Sequence, residues 1–463
     1  MSATGGPASP TVAGPQAERP LWKAFGVFLA PMLLSNILQS LSGTLNNIYV
    51  GQMLGVSALA AVSSFFPVMF FFIAFVIGLG AGASVLIGQA WGARDAEKAR
   101  AVAGTTLSVG AVMGLLVALF GGLFTTPMLA ALGTPPDVLA DSTRYARIML
   151  IAMPGIFVFL LSTAMLRGIG DTVTPLLTLV ISTLIGLAVT PVLIRGWGGL
   201  PQLGVASGAW ASTLAFLVAM LFLGWRLRHR QSALAPDARL ARHLRIDLKL
   251  LKAVLRIGVP TGVQTIVVAL AEIALLSLVN RFGSNATAAY GAVNQVVAYA
   301  QFPAISIAIS ASILGAQAIG AGRADRLGAI ARTALVMNLC LTGGLVMIGY
   351  AFSEHLMALF ITSAPVIEIA QRLLHVMLWS IVVFGMAAAL SGIMRASGSV
   401  LVPTLISVGC IVGIEVPVAW ALSHRIGLDG VWYAYPAAFI AMLALQTSYY
   451  RMVWRKKAIR RLV

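Results

Sequence analysis

Along the 463-residue chain, apolar positions run on for about 20 residues or more at a time and stop at short polar breaks. LLSNILQSLSGTLNNIYVGQML and TTLSVGAVMGLLVALFGGLF are two such runs. A helix rising ~1.5 Å per residue needs about 20 residues to cross a bilayer. A transmembrane barrel would show alternating segments of ~10 residues, and these runs do not alternate. The pattern predicts helices over 24–50, 57–88, 101–125, 143–166, 172–195, 203–225, 253–280, 286–317, 331–353, 370–394, 399–423 and 429–450. The fold class is therefore all-α, a polytopic membrane protein of twelve transmembrane helices.

Composition agrees. Hydrophobic residues make up 59%, charged residues only 10%, and mean hydropathy is +0.94. A soluble domain carries about 25% charged residues, so too little polar surface is available here for life in water.

One polar break is long, RLRHRQSALAPDARLARHLRIDLKLLK at 226–252, and it divides the chain into halves that repeat each other. ASVLIGQAWGA (83–93) returns as ASILGAQAIGA (311–321), a shift of 228. The same shift pairs Arg144 with Arg372, Arg167 with Arg395, Gly170 with Gly398 and Pro175 with Pro403. Ordered Arg, Gly, Pro and Gln matches at one spacing are not produced by shared apolar composition. Each half holds six spans, so both enter the membrane from the same side, as a parallel repeat about an axis along the membrane normal. The predicted organisation is a disordered tail (1–22), an N-lobe (23–225), a basic cytoplasmic linker (226–252), a C-lobe (253–450) and a basic cytoplasmic tail (451–463).

Charge fixes an expected orientation. With the N-terminus in the cytoplasm, only Arg144, Arg147, Arg195, Arg281, Arg372 and Arg425 of the 31 Lys and Arg fall on the outer side. The positive-inside rule then places both termini in the cytoplasm, in the cell (inner) membrane. It also accounts for the net charge of +17. The basic linker lacks the interleaved aromatics of a nucleic-acid surface, so anionic lipid headgroups are its expected partner, with no nucleic acid and a monomeric chain. No cleavable signal peptide is evident in the Gly/Pro-rich start, because it has no apolar core. Cys340 and Cys410 lie in apolar helices and are expected as small buried hydrophobes. Phosphate loops, zinc-protease motifs and zinc-spaced cysteines are missing, so neither enzyme activity, cofactor nor metal is expected. His375 is the one histidine within a span.

GQAWGARD (88–95), LRGIGDTVTP (166–175), MRASGSVLVP (394–403) and GVPTGVQ (258–264) together resemble the multidrug and toxic compound extrusion (MATE) transporters over roughly 25–450. The resemblance implies two six-helix lobes that exchange small organic, often cationic, compounds against a proton or sodium ion. Many members of that family carry a carboxylate five residues before the glycine of a phrase like NIYVG, and here that position is Asn46. The usual N-lobe acid is thus replaced by a polar stripe, Asn36, Gln39, Asn46 and Asn47, which either lines an N-lobe cavity or bonds neighbouring helices. Pro31, Pro67, Pro154, Pro191, Pro260, Pro303 and Pro417 fall inside spans, where each removes a backbone hydrogen bond and bends the helix or serves as a hinge.

Among the 14 acids, only Glu272 and Glu415 lie deep in helices. A carboxylate at the bilayer centre costs roughly 2.5–3.5 kcal/mol on insertion scales, so such a residue is a candidate for function. Glu272 is in the seventh span, which carries a coupling acid in the sodium-linked branch of the family that the chain resembles. Glu272 is therefore the expected cation or proton site, with Gln264, Asn294 and Gln295 as neutral neighbours and Glu415 as second candidate. The structural alternative is a protonated Glu bonded to a carbonyl freed by proline. The expected function is a cation-coupled antiporter that exports amphipathic organic compounds by alternating access. A lipid-linked precursor flippase, an intramembrane enzyme and a non-transporting subunit are the alternatives.

Overall fold

The structure, a computed structural model, describes residues 20–199, 201–361 and 363–463, so the expectation of a disordered tail falls on residues 1–19, outside them, apart from its last three positions. Twelve helices among the described residues are long and apolar enough to span a membrane: α1 (Leu21–Leu54), α2 (Ser57–Gly92), α3 (Ala96–Ala131), α4 (Pro136–Gly168), α5 (Val173–Arg195), α6 (Ala206–His229), α7 (Leu248–Asn280), α8 (Ser284–Gly320), α9 (Ala324–Ala351), α10 (Ala364–Ala396), α11 (Leu401–Ile426) and α12 (Leu428–Lys456). No strand occurs among the described residues. Most helices outrun the apolar runs that predict them, because polar first turns continue them past the hydrocarbon. Asp95 starts α3 by accepting the Lys98 N–H at 2.9 Å, and Asp247 starts α7 by accepting that of Lys249 at 2.8 Å.

The halves share one plan. Within 21–229, α2 packs on α3 and α4, α4 on α6, and α5 on α1 and α6; α8, α10, α11 and α12 repeat these pairings with α7 and α9. The tight turns repeat as well. Gly55 (φ 89°) and Gly283 (φ 95°), 228 residues apart, let α1 turn into α2 and α7 into α8 in a backbone region that L-residues avoid.

The segment between the halves is shorter than the 226–252 read from sequence, since α6 runs to His229 and α7 starts at Leu248. It is also bound in place across the start of α3. Arg100 Nε donates to the Ala233 carbonyl (3.0 Å), Thr105 Oγ1 to the Arg245 carbonyl (3.1 Å), and His243 Nε2 meets Glu97 Oε2 at 2.9 Å. Asp237 caps the one-turn helix Ala238–Arg242, and the N–H groups of Leu240 and Arg239 hold its carboxyl below the usual carboxylate range. One cysteine departs from expectation. Cys410 is buried, but Cys340 is exposed, on the outward side of α9.

Contact between the halves runs through α2, α7, α8 and α1. Glycine sets its closeness. Gly78 lies against Gly258 and Gly262, Gly92 against the Gln317 backbone, and Gly320 against the Gln89 backbone. The last two contacts are images of each other under the 228-residue shift, which explains the repeated phrase: it builds both sides of one seam. Across it the Gln89 amide donates to the Ala396 carbonyl at 2.8 Å, and the Gln317 amide to the Gly168 carbonyl at 2.9 Å. Gln89 Oε1 also accepts the Leu462 N–H at 2.8 Å, tying the C-terminal tail to the seam. Toward the other end of the helices the halves diverge around a cleft of about 860 Å³ lined by Thr44, Asn47, Gln52, Ala288, Gln295 and Phe360 among others.

A buried hydrogen bond of this kind contributes about 1 kcal/mol, and its loss leaves a buried carbonyl unpaired. The double variant Gln89→Ala/Gln317→Ala is therefore expected to raise amide hydrogen exchange around residues 86–92 and 314–320 by roughly tenfold or more while α5 and α11 stay protected. Uniform exchange across all helices would contradict a seam held by these two amides.

Candidate functional site

In the second half, Glu272 of α7 faces two tyrosines from other helices. Tyr290 of α8 donates its hydroxyl to Glu272 Oε2 at 2.6 Å, and Tyr435 of α12 donates to the same oxygen at 3.1 Å. The hydroxyls lie 2.9 Å apart. Packing fixes them: the Tyr290 ring stacks on the fully buried Trp432 at 5.4 Å, and Tyr435 meets Phe439 edge-on at 6.2 Å. A buried tyrosine needs a partner for its hydroxyl, and here both spend it on one carboxylate.

Glu415 of α11 ends a π-helical turn, Ile411–Glu415, that packs on α7. It is 4% exposed, stands ahead of Pro417, and has no hydrogen bond or ion pair among the described residues. Opened π-turns of this sort let a side chain point where a regular helix would not. Both acids singled out from sequence thus lie in the second half, on helices that pack against each other.

Glu272 also forms part of the wall of a cavity of about 900 Å³ whose lining comes from α2, α7, α8, α10, α11 and α12. Phe66, Phe70, Phe384 and Met442 make it largely apolar; Gln264, Ser391 and Arg395 add polar groups. The Nε of Arg395 is sealed from solvent without a hydrogen-bond partner.

The neutral residues named from sequence separate into different places. Gln264 shares the cavity with Glu272. Asn294 lies one turn beyond Tyr290 on α8. Gln295 instead lines the cleft between the halves, opposite Asn47. In α1, Asn36 donates to Ser306 Oγ of α8 at 3.1 Å, so it bonds a neighbouring helix. Asn46 is half-buried beside Gly208 of α6, and Gln39 is exposed. His375, in the first half of α10, meets Ser353 Oγ at 3.1 Å. Sequence reasoning missed Tyr290 and Tyr435. The available signal was a tyrosine within an apolar span, but no spacing links residues on three helices.

The MatE family model matches residues 31–192 and 260–421, one match in each half. A probable multidrug resistance protein, YoeA, of Bacillus subtilis (strain 168) is 46% identical over 456 residues, covering 98% of each chain. The multidrug export protein MepA of Staphylococcus aureus (strain MSSA476) is 24% identical over 94% of each. Among solved structures, a mutant of the Vibrio cholerae MATE transporter VcmN superposes with a TM-score of 0.87 at 22% identity, covering 95% of this chain and 98% of that one. A MOP superfamily transporter from Pyrococcus furiosus gives 0.87 at 23%, covering 97% and 100%.

Proposed function

The chain belongs to the multidrug and toxic compound extrusion (MATE) family, and from that premise we propose that it is a multidrug efflux transporter working as a cation-coupled antiporter. It sits in the cell membrane with both termini cytoplasmic, an orientation supported by the basic loops at the seam end. Its cargo is amphipathic organic compounds, often cationic, and the coupling ion is a proton or sodium.

The observation that carries this reading is Glu272 in the wall of the apolar cavity. A carboxylate inside a membrane takes up a proton or a cation rather than standing bare. Tyr290 and Tyr435 present hydroxyls to Glu272, so its charged form is solvated by fixed donors instead of water. An organic cation entering the cavity meets the same carboxylate, and cargo and coupling ion then compete for one charge. Competition of that kind is what exchange requires, provided the cavity faces alternate sides as the seam opens and closes.

Arg395 favours a second reading, a lipid-linked precursor flippase, since a guanidinium in the wall would hold phosphate. One arginine opposed by Glu272 is a weak phosphate site, and export of amphiphiles is the better fit. Proteoliposomes loaded with a fluorescent organic cation and given a proton or a sodium gradient separately test the function. At least one gradient is expected to drive efflux; if neither does, the antiporter reading fails.

A further inference from the structure

Three cations at the start of α7 are left without counter-charges. Lys249, Lys252 and Arg256 follow at intervals of three and four, so they share one helix face, and all three are exposed. Among the described residues no carboxylate lies within ion-pair distance of any of them. Asp247, the nearest acid in sequence, is turned onto the backbone N–H groups of Lys249 and Leu250. The three side chains form one wall of a cleft of about 220 Å³, with Gly398 and Leu462 opposite. Gly398 has φ 78° and is packed against the Leu462 side chain.

The same stripe continues down α7 as Val259 and Val263, again three and four residues on, and both are exposed (48% and 49%). Charged groups thus sit at the headgroup end of the helix and bare apolar side chains sit below them on the same face. A free phosphate would need only the upper part. A phospholipid uses both. The cleft volume admits a phosphate headgroup while the acyl chains lie outside along the helix.

We propose that Lys249, Lys252 and Arg256 bind the phosphate of an anionic phospholipid whose chains run along Val259 and Val263. Because Leu462 forms the far wall and its N–H is bonded to Gln89 at the seam, a lipid seated here touches the segment that ties the tail to the junction of the halves. This goes beyond the transport reading and does not depend on it.

Native mass spectrometry of the full chain, titrated with phosphatidylglycerol and phosphatidylcholine, tests it. The wild type is expected to prefer phosphatidylglycerol, and Lys249→Gln/Lys252→Gln/Arg256→Gln to lose that preference by roughly tenfold or more. Lys249→Arg/Lys252→Arg should keep it. So should Arg239→Gln/Arg242→Gln/Arg245→Gln, which removes the same charge from the linker. Equal loss in the linker variant would make the effect one of net charge and overturn the site, as would an unchanged triple glutamine variant. Displacement of the lipid by glycerol phosphate at equal concentration would identify a soluble phosphate as the occupant and overturn the lipid assignment. If the triple glutamine variant fails to fold, Val259→Asn/Val263→Asn takes its place: weakened phosphatidylglycerol binding supports the proposal and unchanged binding defeats it.

Discussion

Replacing Gly92 with alanine is expected to cut transport at least tenfold without unfolding the protein. The methyl group would enter the space of the Gln317 backbone, including its carbonyl oxygen, and at Gly320 the partner is the Gln89 backbone. Neither neighbour can turn aside as a flexible side chain could, so the two halves must separate where they meet. Overpacking of this kind typically costs 1–3 kcal/mol, and about 1.4 kcal/mol is a tenfold change in a two-state equilibrium. The cost falls only on the state with the seam closed, because in the open state the two glycines have no opposing backbone. The seam-open state should gain by roughly tenfold or more in Gly92→Ala, and by more again with Gly320→Ala added. The measurement uses Cys340→Ser with Ala288→Cys, which places one accessible thiol in the cleft between the halves and leaves buried Cys410 in place. Labelling by an impermeant reagent should slow in proportion to the loss of the seam-closed population, approaching the same factor once the seam-open state predominates. Gly26→Ala, with no atom within 4 Å of an added methyl, is the control and should label at the wild-type rate. Unchanged labelling in a well-folded Gly92→Ala would mean that this seam is not the gate.

The seam is also where sequence said most. A phrase repeated at one fixed shift, with Gln and Gly at matching places, implies two surfaces of the same shape, and Gln89, Gly92, Gln317 and Gly320 meet as images of each other. Spans were legible because hydrocarbon permits only apolar side chains on the outside of so many helices. Glu272 and Glu415 were legible for the same reason, as acids in the wrong solvent. Their surroundings were less so. Asn294 and Gln295 are adjacent in sequence and so point about 100° apart on the helix, which is why only Gln295 lines the cleft between the halves. Tyr290 and Tyr435 reach Glu272 from α8 and α12 only after the bundle has formed, and pairing of that kind leaves no local pattern. The polar stripe of α1 divides in the same way, since each of its members meets whichever helix packs on its own side.

Glu272→Gln should uncouple transport from the ion gradient. Glutamine keeps the size of the side chain and can still accept from Tyr290 and Tyr435, so the packing around Trp432 has no reason to change. It can neither take up a proton nor hold a sodium ion by charge. Efflux driven by the active gradient is therefore expected to fall at least tenfold, and the pH and sodium dependence of the remainder to flatten. Cargo without positive charge should still enter the largely apolar cavity with affinity within a few-fold of wild type, because Phe66, Phe70, Phe384 and Met442 are untouched. Tyr290→Phe separates the role of the donor from that of the acid. It removes the shorter hydrogen bond to Oε2, and bonds to a charged group contribute about 1.5–3 kcal/mol. Its gradient dependence should move on the pH or sodium axis, whereas Tyr433→Phe, on the exposed side of α12, should leave the curve in place. Glu415→Gln should act more weakly than Glu272→Gln, since its carboxylate has no tyrosine donors to organise a bound cation. If Glu272→Gln folds normally and its efflux keeps the wild-type response to both pH and sodium, the charge on Glu272 is not what the coupling ion and the cargo compete for.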